Sequence, residues 1–305
     1  QFDAGIAVTQ TLFAFGKISN AIAAAQKTVE ASLLNRDAVR QDVIYHTKLA
    51  YYNACLARRV LQAAEESYEN ARQNKTILEG RTSLGRVSKH DNIKISSDIS
   101  GRMPAVNKAR ADFASAMQTL RAAIGAQDGP EIELISGFPD DYPDLEREQL
   151  TAALEQNQPV LQAAAAVIEE KEYWVSSKNS TLLPEISAFA SWNHQGGGND
   201  YDIGRRNLED YGVAGLKVSV PIWLGGLNRE KLSQARIDKK DADLQYRKIR
   251  KDYILALDKA FSEYQETLKT LEANHEAVRW AEESFRYSQE LFSSGQISVT
   301  DLNDA

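Results

Sequence analysis

Two stretches of this chain contain neither glycine nor proline: Lys17 to Glu79 and Leu227 to Ser294. Those two residues are the main punctuation of secondary structure, so each stretch can run as one uninterrupted element. Both are rich in Ala, Leu, Glu, Lys, Gln and Arg, the strong helix formers. Helices are therefore predicted over 17–84 and 226–294. At about 1.5 Å per residue the first would extend roughly 100 Å, where an ordinary helix has about 11–12 residues. A helix that long needs lateral partners along its whole length. In the first stretch Ile18, Ile22, Ala25 and Val29 step by four and three, and Ser32 follows. The rhythm resumes at Val39 and Val43, then runs through Ala50, Ala54, Ala57, Leu61, Ala64, Tyr68 and Ala71. This spacing predicts a coiled-coil seam with one irregularity near His46 and Thr47. Its alanines are small enough for close approach of a second axis.

The chain also repeats itself. At an offset of 210 residues Gly16 falls on Gly226 and Gly85 on Gly295, without a gap. Thr11-Leu12-Phe13 falls on Pro221-Ile222-Trp223, and both second glycines open a Gly-x-(Val/Ile)-Ser-x-x-Asp motif. Glycine there suits a left-handed helix end. Ser88 and Ser298 can cap the next helix, with Asp91 and Asp301 at its third position, where a negative charge favours the helix dipole. Each copy thus reads as a very long helix, a tight turn and a return helix. The first return helix is expected over 88–124, disturbed midway by Gly101 and Pro104, and the second from 298.

Before each long helix lies a run with two-residue alternation. Phe2, Ala4, Ile6, Val8 and Leu12 share one face; Gly212, Ala214, Leu216, Val218, Val220 and Ile222 share another. A third run sets Ile186, Ala188, Ala190 and Trp192 against Ser187, Phe189 and Ser191. Strands are expected over 2–14, 184–194 and 210–222, the last two joined through Gly196-Gly197-Gly198 as a long hairpin. Such strands are long enough for the roughly 9–11 residues of a tilted membrane strand, and equally for a sheet in water. The domain plan is a first repeat over 1–125, a mixed segment over 126–158, and a second repeat over 159–305. The mixed segment is expected to hold a short strand near Ile132–Leu134 and a helix from Asp144 to Gln156. A further helix, opened by Pro159, is expected over 159–178.

Composition narrows the function. The chain has 305 residues, a formal charge of −7 and one cysteine, Cys55. The acidic balance argues against general nucleic-acid binding, and one cysteine cannot form an internal disulfide. His46, His90, His194 and His275 lie far apart with no ligand spacing, so neither a zinc site nor a thiol nucleophile is supported. No cofactor, metal site or catalytic constellation is expected. Trp174, Trp192 and Trp223 lie beside or within strands, as interfacial anchors or as ordinary packing.

The run Gln10-Thr11-Leu12-Phe13-Ala14-Phe15-Gly16-Lys17, its second copy Val220-Pro221-Ile222-Trp223-Leu224-Gly225-Gly226, the Asn157-Gln158-Pro159 helix start, the Leu183-Pro184 strand start and the two tip turns resemble the TolC-like outer membrane efflux protein family. The resemblance implies a mainly α fold with β: antiparallel coiled-coil hairpins forming a periplasmic tunnel, plus strands contributing to a trimeric 12-stranded transmembrane β-barrel. It implies an exit duct of a tripartite efflux pump or type I secretion system, in the outer membrane of a Gram-negative bacterium. Its implied partners are two further copies of the chain, a periplasmic adaptor (membrane fusion protein), an inner-membrane pump or ABC transporter, and outer-membrane lipid. The rival reading is a periplasmic coiled-coil adaptor or structural scaffold, which normally carries one hairpin rather than two. The repeat also leads one to expect a helix and strand ahead of Gln1 and a return helix continuing beyond Ala305.

The resemblance assigns sites too. Asp301 and Asp304 match aspartates that ring the tunnel entrance and favour cations. Six carboxylates from three copies would raise one another's pKa and bind metal cations. Asp91 matches a first-tip aspartate whose partners in some members are an arginine and a tyrosine; here those positions are Ile297 and Phe292. The turns Leu84, Gly85, Arg86, Val87, Ser88 and Ser294, Gly295, Gln296, Ile297, Ser298 are the expected adaptor contacts.

Overall fold

The computed structural model describes residues 2–82, 89–126, 129, 132–135, 137–139, 141–196, 208–298 and 301–302. The elements are β1 (Phe2–Phe13), α1 (Lys17–Thr82), α2 (Lys89–Ala123), α3 (Arg147–Asn157), α4 (Pro159–Ser180), β2 (Glu185–Gly196), β3 (Leu208–Ser219) and α5 (Leu227–Ser294). α1 has 66 residues and α5 has 68. The chain forms two compact units, one of residues 1–38 with 148–256, the other of residues 39–147 with 257–305.

In the first unit the strands form an antiparallel sheet in the order β1-β2-β3. Its register brings the three apolar sets onto one face, in rows such as Ile6–Trp192–Gly212 and Val8–Ala190–Ala214. The other face carries Thr9, Thr11, Ser187, Ser191, Asn193 and Lys217, with Phe189 lying over Gly215. The apolar face is the exposed one: Ile6 is 75% accessible, Leu216 71% and Trp192 59%. Unbroken alternation is not what β1 does near its end. A bulge between Thr11 and Phe13 makes Leu12 an extra residue and pairs Phe13 with Ile186. Such a bulge turns the strand and re-aims its side chains. β3 stops at Ser219, short of the expected 222, because Pro221 has no N–H to give a ladder.

Both strand-to-helix junctions are built alike. Gly16 and Gly226 are left-handed, with φ of 88° and 83°. Lys17 N–H donates to Ala14 and Leu227 N–H to Leu224; Asn20 N–H donates to Gly16 and Glu230 N–H to Gly226, at 2.9–3.1 Å. Around the first junction Ser180 Oγ donates to the Phe15 carbonyl (2.8 Å) and Ser177 Oγ to the Lys17 carbonyl (2.9 Å). These two buried hydroxyls hold a turn in which Phe15, a non-glycine residue, has φ of 48°.

The predicted seam needs correction in this unit. Ile18, Ile22 and Val29 are exposed, whereas Ala24 and Ala31 are buried, as are Leu161, Ala163 and Ala166 of α4 and Leu232, Ala235 and Ala242 of α5. Close approach favours the alanine stripe over the branched one, since removing the side-chain volume lets neighbouring helix surfaces meet. Lys27 lies on the buried side and bridges Glu169 (2.7 Å) and Glu30 (2.8 Å). Its hydrogen bonds to Glu169 and then Glu30 hold its pKa above the usual lysine range.

In the second unit the predicted Val39 and Val43 are exposed too, and the seam follows the predicted residues only from Ala50 on. Ala50, Ala54 and Ala71 are buried, and Ala50, Ala54 and Cys55 pack with Leu120 of α2 and Leu134. The chain at 132–135 joins no strand ladder; Leu134 is instead buried, its carbonyl taking a hydrogen bond from Arg58 (2.8 Å). The helix expected from Asp144 begins at Arg147, after Pro143 accepts a hydrogen bond from Tyr264 (2.6 Å). α2 runs through Gly101 and Pro104 unbroken. The helix bond that proline removes is outweighed by burial on both sides of it, at Ile95, Val106 and Ala109. α2 ends as the sequence suggests, with Gly125 at φ 70° and the N–H groups of Gly125 and Ala126 returned to Ala122 and Arg121.

Candidate functional site

The site expected from the sequence is the pair of helix tips, and the described part of it is built around the end of α5. Gly295 has φ of 81°. Its N–H donates to Phe292 (3.0 Å) and that of Gln296 to Leu291 (2.9 Å), the paired bonds of a Schellman ending. Three residues later the next helix begins with a reciprocal cap. Ser298 N–H and Oγ both donate to Asp301 Oδ2, at 2.9 and 2.8 Å, and Asp301 N–H donates back to Ser298 Oγ at 3.2 Å. Aspartate here takes the role that glutamate has in the usual capping box.

This geometry decides the state of Asp301 within one chain. The Ser298 backbone N–H and then its hydroxyl stabilise the carboxylate, with a small pull from Lys94, so its pKa lies below the ordinary aspartate value. The upward shift expected for a ring of carboxylates must therefore come from other copies, acting against the cap. Asp301 is exposed, as a residue that lines water must be.

Beneath the turn sits an apolar cluster. Leu78 of α1, Ile95 of α2, Phe292 of α5 and Leu302 are all buried, with Ile99, Phe285 and Ile297 packed against them. Phe292 is 1% accessible. The positions that would hold the polar partners of Asp91 thus contribute to a hydrophobic clasp tying α5 to α1 and α2. Sequence reasoning noticed the two substitutions but not the clasp, whose members meet only in three dimensions. Asp91 lies in the first turn of α2, and its side chain falls outside the described residues. So do Leu84, Gly85, Arg86, Val87, Ser88 and Asp304. Of the second turn, Ser294, Gly295, Gln296 and Ser298 are exposed and Ile297 is half-buried.

A second surface was not foreseen. Along α5, Trp280, Glu283, Ser284, Arg286, Tyr287 and Glu290 line a cleft of about 460 Å³, with Arg279 stacked on Trp280 at 5.2 Å. Exposed tryptophan and tyrosine seven residues apart on one face have the helical spacing of a docking stripe, a signal the sequence did carry. Among the described residues no group of three or more His, Cys, Asp or Glu could hold a metal ion. Among the described residues no helix is long and apolar enough to cross a membrane.

Comparison with known proteins agrees with this architecture. The chain is 25% identical over 308 residues to outer membrane efflux protein BepC of Brucella suis, covering 99% of this chain and 65% of that protein. It is 26% identical over 284 residues to protein CyaE of Bordetella pertussis, covering 88% and 56%. The chain thus spans less than two thirds of either relative. Among solved structures it superposes on CusC, described as forming a transmembrane channel, with a TM-score of 0.77 at 18% identity, over 99% of this chain and 70% of that one. The outer membrane protein VceC of Vibrio cholerae gives 0.75 at 16%, over 99% and 78%. Likenesses at that identity establish the fold. The model of the family described as outer membrane efflux protein matches residues 1–126 and 150–305; the chain therefore belongs to that family, whose place is the outer membrane of Gram-negative bacteria.

Proposed function

We propose that this chain is one protomer of a trimeric exit duct that carries solutes passively across the outer membrane, downstream of a periplasmic adaptor and an inner-membrane pump or ABC transporter. The observation that carries this reading is the sheet. Its apolar face is exposed, its polar face is opposite, and among the described residues both outer strands have open edges. A lone sheet in water would hide that apolar face; a barrel wall presents it to lipid. The height fits as well. From end to end each twelve-residue strand advances about 36 Å. At a strand tilt of about 40° that is about 28 Å along the membrane normal, close to the apolar band between two aromatic girdles.

Twelve strands from three copies would need four per chain, and the described residues supply three. The matching hydrogen bonds at Gly16 and Gly226 support an internal duplication. The exposed stripe of Ile18, Ile22 and Val29 supports lateral packing against neighbouring copies, giving a tunnel wall of helices. In that assembly Asp301, with Asp304 and Asp91, would ring the narrow end and select cations, and the two tip turns would meet the adaptor. The likeness to outer membrane efflux protein BepC supports export as the activity; the cargo is set by the pump partner.

Planar-bilayer recording tests the reading. The full-length wild-type protein should form cation-preferring pores blocked by multivalent cations, and Asp301→Ala should weaken both properties. Absence of any pore refutes the duct; unchanged selectivity and block refute the gate assignment alone.

A further inference from the structure

We propose that the groove between α4 and α5 binds the phosphate headgroup of an anionic phospholipid from the periplasmic leaflet. This rests on the sheet being the membrane-embedded part. α4 leads into β2 and α5 leads away from β3, so the two helices lie antiparallel in the first unit. Asn228 Nδ2 donates to the Thr181 carbonyl at 3.0 Å near the sheet, and Lys239 pairs with Glu172 at 3.1 Å further away. Between them is a groove of about 430 Å³ lined by Lys171, Trp174 and Lys178 of α4 and Lys231, Ala235 and Asp238 of α5.

Its charge is graded. At the end far from the sheet, Lys171 is paired with Glu170 and Asp238 adds a negative charge. At the sheet end stand Lys178 and Lys231. Lys178 lies over the Trp174 ring at 5.1 Å, and Lys231 makes no ion pair among the described residues. Two cations with no ion pair among the described residues, one of them over an indole ring, are suited to an anion.

The surroundings choose which anion. Four residues beyond Lys178 is Leu182, and four residues before Lys231 is Leu227; both are exposed. Leu183, Ile222, Trp223 and Leu224 continue that exposed apolar ledge, with Ile222 92% accessible. A small soluble anion would gain only the two lysines. A phospholipid gains both parts, acyl chains against the ledge and phosphate at the lysines about one helical turn below.

The test uses the full-length protein in nanodiscs of phosphatidylcholine doped with phosphatidylglycerol, with bound lipid counted by native mass spectrometry after extraction. Wild type should retain phosphatidylglycerol selectively. Lys178→Gln and Lys231→Gln should each weaken retention about fivefold, roughly additively, since each juxtamembrane lysine adds a comparable attraction. The Arg pair K178R/K231R should restore it, and Lys251→Gln, on α5 outside the groove, should leave it unchanged. Retention by the double Gln variant equal to wild type overturns the proposal. So does displacement of the lipid by millimolar inorganic phosphate, which would mark a small-anion site. Wild-type protein that inserts and conducts yet retains no phosphatidylglycerol refutes the lipid site alone. Protein that neither inserts nor conducts refutes the membrane reading on which it rests.

Discussion

At the scale of single residues, Asp301 does two things with one carboxylate. It accepts two hydrogen bonds from Ser298, and it carries the charge proposed for the gate. Two substitutions separate these roles. Ser298→Ala removes the cap and keeps the charge, so it should destabilise the start of the return helix by about 1 kcal/mol while cation block persists. Asp301→Asn leaves an oxygen that can still accept from Ser298, so the turn should hold while cation block weakens. Hydrogen exchange at the tip read beside conductance checks the pair; loss of block in Ser298→Ala with an intact turn would contradict it. The pH dependence follows from the lowered pKa. A carboxyl depressed in the fold adds stability that is fully present above its unfolded value, about 3.9. That stability is lost as pH falls from there through the folded value. The tip should therefore loosen in a single chain only as pH falls below about 4. Loosening at a higher pH in the assembled protein would reveal the opposing pull of neighbouring carboxylates.

At the scale of elements, the paired junctions and the clasp make sharper statements. Gly16 and Gly226 share a left-handed backbone, but a Cβ at Gly16 would lie 3.1 Å from Asn20 Nδ2, whereas one at Gly226 meets nothing within 4 Å. Gly226→Ala should cost about 1–2 kcal/mol for the backbone alone, and Gly16→Ala more. Thermal denaturation of the two variants should rank them in that order. In the clasp, Phe292→Ala should cost about 3–5 kcal/mol, as for other buried phenylalanines. It should free the end of α5 from α1 and α2, seen as faster proteolysis near Gly295 with the sheet intact. The long helices and the strands were legible because their signals are local: missing breakers, and alternation. The second half of the α1 seam was legible for the same reason. Its first half was misread because two stripes compete there, and the branched one looks more apolar than the alanine stripe that packs. Phe15 at positive φ was illegible because the restraint comes from Ser177 and Ser180, more than 150 residues away. The clasp was illegible likewise, since Leu78, Ile95 and Phe292 share no sequence neighbourhood.

At the scale of the whole molecule, assembly of the proposed duct turns on the edges of the sheet. Each pairing surface at β1 and β3 is twelve residues long in one chain. A proline placed in β3 at a position whose N–H faces the open edge removes a donor there and should block strand addition from a neighbouring copy. The prediction is loss of the stable oligomer in size-exclusion chromatography with light scattering, while helix content by circular dichroism is kept. An unchanged oligomer would show that β3 does not carry the join. The charge of −7 contributes little to this argument; what matters is that the apolar residues are laid along one face of a sheet and one stripe of a helix.

Those open edges also bear on how the protein reaches its destination. Before insertion, a single chain in transit offers two ready templates for strand addition and an unshielded greasy face. In the proposed barrel, such a chain would be open to holding chaperones and to proteases until it inserts. Its cellular abundance should thus depend on periplasmic quality control far more steeply than the finished complex does, and a shortage of chaperones should be felt first as missing protein rather than as a faulty pore.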